Sequence, residues 1–173
     1  MNSTITVNIL RFIVLVLLQG LVLVNVGSGW VQFPYFNVFL YPIFIFLLPI
    51  RTPKPLVIFS GFVLGLTVDL FYLSPGVHAA AAVFTAFIRP AVLKYLQPGG
   101  GYKPSHSPTK ASQGLAWYVK YSAILLLPHL LIYFFVEAFS FVYWDEILLK
   151  TLFSFVISMV FIIMHQLIIR PAE

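Results

Sequence analysis

The chain has no cysteine and little charge, with ten Lys and Arg and five Asp and Glu among 173 residues. The first absence excludes disulfides and thiolate metal sites, and leaves the redox compartment unreadable from sulfur. The second argues against a soluble domain, in which about a quarter of residues are charged. Local patterns of common chemistries are missing too. No phosphate-cradling Gly-rich loop is followed by a Lys, there is no HExxH, no span holds paired carboxylates, and no Ser-His-Asp set stands in a plausible context. The expectation is a protein that is not an enzyme and uses no cofactor or metal.

What is present is apolar. Hydrophobic residues make up 61% of the chain and the mean hydropathy is +0.99. At about 20 residues per crossing of a roughly 30 Å hydrocarbon layer, the length suits six spans and one modest loop. Six apolar runs can be marked, at about Ile5–Val26, Tyr35–Ile50, Leu56–Tyr72, Val77–Leu96, Trp117–Val142 and Ile147–Ile169. Their continuity argues against a β-barrel, whose strands alternate apolar and polar residues. The reading is one all-α membrane domain over 1–173, a bundle of six transmembrane helices. Pro42, Pro49 and Pro128 fall inside runs, where kinks rather than breaks are expected because neighbouring helices can satisfy freed carbonyls. The opening MNSTITVNILRF lacks a strongly basic n-region and no small-x-small cleavage site follows, so the first run reads as a retained span.

Basic residues set the orientation. Arg11, Arg51, Lys54, Lys94, Lys103, Lys110, Lys120 and Arg170 flank alternate connections, whereas residues 26–34, 73–76 and 143–146 hold no Lys or Arg. Both termini are therefore expected in the cytoplasm, and the net charge of +5 is a topology signal rather than a nucleic-acid patch. Arg89 reads as an anchor reaching lipid phosphates, and Lys150 as snorkelling outward past Asp145 and Glu146. The stretch QPGGGYKPSHSPTKASQG, residues 97–114, is expected to be a flexible cytoplasmic loop, either a solvated connector or a docking segment for a partner or anionic lipid.

Polar residues inside the runs need shelter. Asp69 would cost about 2.5 to 3.5 kcal/mol if unpaired at mid-membrane. Gly61, Gly65 and Asp69 recur at spacing four on one face, and the two glycines allow close helix packing. Asp69 is then either a proton or substrate site, or a carboxylate capping the next helix near Ser74 to His78. Ser74-Pro75-Gly76 reads as a tight turn and His78 as an interfacial hydrogen-bonding residue. His129, Tyr133 and Glu137 form a second track at spacing four, read as helix-to-helix hydrogen bonding. Thr151, Ser154, Ser158 and His165 fall in a stripe about 60° wide, the face the last span turns to protein.

The segment GFVLGLTVDLFYLSPGVHAAAAVFTAFIRP, with the length, the six runs and the GGGYKP loop, resembles the MreD family of rod shape-determining proteins, in its Bacteroidetes-type form. Gly61, Gly65, Asp69 and Gly76 are the matching positions. The resemblance implies a multi-pass protein of the bacterial cytoplasmic membrane, a scaffold of the cell-elongation machinery for peptidoglycan. Its helices would bind an MreC-like protein and, through it, MreB, RodA and the transpeptidase partner of RodA. It also implies a fold similar to the substrate-binding components of energy-coupling-factor vitamin transporters. Packing or partner contacts are expected at Gly61, Gly65, Asp69, Gly76, His78, Ser154, Ser158 and His165. The rival reading is a small-solute transporter subunit. It requires Asp69, His78, Tyr133 and Glu137 to converge on an outward-facing cavity of about 300 Å³ or more.

Overall fold

A computed structural model describes residues 2–25, 35–102 and 107–168. The linker at 26–34, Lys103 and Arg170, used above for orientation, lie outside them. Every regular element among the described residues is helical: α1 (Asn2–Leu17), continued by a π-helical stretch at Leu18–Leu23, α2 (Ile43–Leu47), α3 (Lys54–Tyr72), α4 (Val77–Tyr95), α5 (Lys110–Gln113), α6 (Leu115–Ala138), a 3-10 turn at Phe141–Tyr143 and α7 (Trp144–Ile168). Five stretches are long and apolar enough to cross a membrane: Ile5–Leu23, α3, α4, α6 and α7. The chain thus has the build of a multi-pass membrane protein. Large apolar side chains are exposed along these helices, among them Ile9, Phe59, Leu70, Leu152 and Val156, as a surface facing hydrocarbon requires.

The second run departs from the helix expected over Tyr35–Ile50. Residues 36–40 lie in no helix or strand, the alternation of their hydrogen-bond partners is that of an extended chain, and only Ile43–Leu47 is helical. Two prolines set those bounds. Pro42 sits at the N-terminus of α2, where its missing N–H costs nothing. At the other end Leu48, which precedes Pro49, takes ψ 143°, as the residue before a proline tends to. The expectation of a kink therefore fails here. In the fifth run there is no break, and α6 continues through Pro128. All of residues 38–48 apart from Pro42 are hydrophobic and buried, with Ile43, Ile45, Phe46 and Leu47 fully so.

α3 packs along α4, α4 along α6, and α6 along α7. The first pairing rests on small residues: Gly61 and Gly65 face Ala79, Ala82 and Ala86. A Cβ at Gly65 would lie 2.4 Å from the Cα of Ala79 and 2.6 Å from its amide nitrogen, so backbone meets backbone there. The turn between the helices has Leu73 in the left-handed region, which ends α3, and Gly76 at φ +91°. With Pro75 before it and a Val77 N–H to Ser74 carbonyl bond of 3.2 Å, this is a turn whose third position demands positive φ.

Described parts of the 97–114 loop carry more structure than its composition predicts. Tyr102 donates to the Leu93 carbonyl at 2.7 Å and the Trp117 indole to that of Leu96 at 2.8 Å. Thr109 and Ser112 form a reciprocal cap on α5.

Candidate functional site

Two groups of polar side chains stand out in the interior. One lies at the α3–α4 turn. The Asp69 carboxylate accepts from the Ser74 hydroxyl (3.1 Å), the Gly76, His78 and Ala79 amides (3.0, 2.9 and 3.2 Å) and the His78 ring through Nδ1 (2.9 Å). Those amides are the free donors at the N-terminus of α4, so the acid of one helix caps the next. Of the two roles open to Asp69 on sequence grounds, the geometry is that of the cap. His78 is fully buried rather than interfacial. Its ring is packed among Phe39, Tyr41, Tyr72 and Tyr133 at centroid distances of 4.5–6.3 Å, and its Nε2 has no hydrogen-bond partner among the described residues.

The second group surrounds residues 35–48. Backbone that is neither helix nor sheet must find other partners inside a membrane, and here side chains from the surrounding helices supply them. Successive amides of an extended chain point to opposite sides. On one side the Asn37 and Phe39 amides donate to the hydroxyls of Ser154 (3.1 Å) and Ser158 (2.9 Å) on α7, while Ser154 donates to the Tyr35 carbonyl at 3.3 Å. On the other, Gln19 of the π-helical stretch accepts from the Leu40 amide at 2.8 Å and donates to the Val38 carbonyl at 2.9 Å. Two serines four apart on a helix rise about 6 Å, close to the roughly 6.8 Å between alternate residues of a strand. The serine stripe thus matches the pitch of the extended segment.

At the other end, the last carbonyls of α2 are capped. Tyr121 donates to Phe46 (3.0 Å), Arg11 to Leu47 (3.4 Å), and the Arg89 guanidinium to Leu48. Arg89 also donates through Nε to the Tyr121 hydroxyl at 3.0 Å. It is 1% exposed, which corrects its reading as an anchor on lipid phosphates. Between the two ends, Tyr41 bonds His129 Nε2 and Thr85 bonds His129 Nδ1, each at 2.8 Å. Only the His129–Thr85 bond joins two helices, α6 and α4; Tyr41 lies in the turn before α2.

The sequence-predicted residues therefore separate. Gly61, Gly65, Asp69, Gly76 and His78 come together at the α3–α4 hairpin, whereas Ser154 and Ser158 serve residues 35–39. Thr151 and His165 share the α7 stripe without taking part, and each retains a buried polar atom with no partner among the described residues. The Gly61/Gly65 face is covered by α4, so a second protein cannot also lie on it. Tyr133 donates to Glu137 at 3.3 Å, and Lys150 lies 4.0 Å from Glu137. Gln19, Tyr41, Thr85 and Tyr121 were missed from sequence. Gln19 carried a signal, as a lone amide in the run VLLQGLVL. Among the described residues no three His, Asp or Glu side chains are grouped as metal ligands would be. Comparison of the chain with protein-family models, curated proteins and solved structures finds no match to any of them.

Proposed function

We propose that the chain is a non-enzymatic scaffold subunit of bacterial cell elongation, an MreD-like protein of the cytoplasmic membrane that binds an MreC-like partner through its helices. The observation that supports this reading is the use of the buried polar side chains: Asp69, Arg89, Gln19, Ser154 and Ser158 all hold the chain's own backbone. They shape a surface instead of lining an opening. Residues 35–50 would make the sixth crossing, with both termini in the cytoplasm. Gln19 is level with Val38 and Leu40 and Arg11 with Leu47, so the segment runs antiparallel to α1 over about 12 Å at least. With the glycine and serine faces occupied internally, the partner would engage the outward apolar faces of the long helices.

The full chain, co-expressed with an MreC-like single-span protein of the same genome and purified in mild detergent, should emerge as a stable complex. Recovery of the two as separate species would refute the proposal. One observation favours the transporter reading, the partnerless Nε2 of His78 beside Asp69 and Tyr133. These three are at most 4% exposed, so a solute could enter only after the bundle opens. Capture of a soluble metabolite by the isolated chain, seen by native mass spectrometry, would favour that alternative over the scaffold.

A further inference from the structure

The carboxylates lie at one end of the bundle, where Lys150 meets Glu137, and other basic residues gather at the opposite end. Asp69 lies near the end of α3 and Glu137 near the end of α6, with Asp145 and Glu146 opening α7. Arg51 and Lys54 precede and open α3, Lys94 closes α4, and Lys110 and Lys120 lie before and near the start of α6. At the basic end, α3 and α4 leave an open cleft of about 560 Å³ between them, lined by Lys54, Pro55, Ile58, Phe59, Phe62 and Val83. Its walls are apolar apart from Lys54. The Lys54 ammonium rests 4.0 Å from the centre of the Phe87 ring, and among the described residues no carboxylate pairs with it.

From Lys54 to Phe62 the cleft runs about 12 Å along the helix, most of the roughly 15 Å depth of one hydrocarbon leaflet. Over that length it is open to its surroundings and its walls are apolar, as contact with an acyl chain requires. Lys54, which pairs with no carboxylate among the described residues, and exposed Arg51 three residues earlier complement a phosphate without an ammonium of its own.

We propose that this cleft binds one anionic phospholipid from the leaflet at the basic end, with an acyl chain against Ile58, Phe59, Phe62 and Val83 and the headgroup phosphate on Lys54 and Arg51. This inference does not depend on the scaffold reading. The test is native mass spectrometry of the detergent-purified full chain, titrated with dioleoyl phosphatidylglycerol or dioleoyl phosphatidylcholine. The expected result is preferential retention of the anionic lipid. Lys54→Gln should weaken its retention about fivefold, the effect of about one basic residue at an anionic surface, while Lys54→Arg should keep it. Val83→Phe, which fills the cleft, should lower retention of both lipids. Equal retention of the two lipids by the wild-type chain would overturn the proposal. So would competition by inorganic phosphate alone, indifference to all three substitutions, or a partner helix cross-linking to Phe59 or Phe62 in place of lipid.

Discussion

In the α3–α4 hairpin the backbone satisfies itself through helical hydrogen bonds, so glycine and alanine can bring two chains into contact and one carboxylate closes the single gap. In residues 35–48 only the short α2 satisfies part of its own backbone, and side chains of α1 and its π-helical continuation, α4, α6 and α7 supply partners around it. Inside a membrane both arrangements meet the same requirement, that no buried N–H or C=O be left without a partner. They differ in where sensitivity lies. The hairpin concentrates it at Asp69 and Gly65, while the segment spreads it over many weaker contacts.

The largest effect is expected at Asp69. Asp69→Ala removes the acceptor for three amides, a hydroxyl and a ring N–H at once. It should lower stability by about 3 kcal/mol or more, read from thermal unfolding in detergent, and Asp69→Asn should fall between the two. Next come the glycines, which allow a sharper test. Gly65→Ala forces backbone apart and should cost about 2–3 kcal/mol. Gly61→Ala meets the Ala82 carbonyl and the Ala86 methyl at 3.1 Å and should cost less than half as much; equal effects would show that the helices are not held as described. Ser158→Ala, which strands one buried amide, should cost about 1–2 kcal/mol. Ser154→Ala should be milder, since Ser154 lies against a part-buried amide. The pair should be less than additive because both serines hold one segment.

These regions also differ in how much of them could be read from sequence. The hairpin was legible because its causes are local: a glycine repeat at spacing four, an acid one turn from the helix end, and a Pro-Gly turn nearby. Residues 35–48 were not. Their hydropathy is that of a span, and the prolines left open whether neighbours would restore a helix. What decides it is a set of partners 19 to 119 positions away in sequence. Ser154 and Ser158 were visible as a polar stripe, yet nothing local says that they pair with extended backbone rather than with another helix. Arg89 was misread for a similar reason. An arginine beside a proline near a helix end resembles an interfacial anchor until the Leu48 carbonyl and Tyr121 are brought to it.

Hydrogen–deuterium exchange of the Asn37, Phe39 and Leu40 amides in the full-length protein tests the central claim most directly. All three should be slow in the wild type. Phe39 should become fast in Ser158→Ala, and Leu40 in Gln19→Leu, with the amides of α3 and α4 unchanged. Uniform protection across residues 36–47 that neither substitution disturbs would mean a continuous helix there, and would contradict a backbone held by side chains.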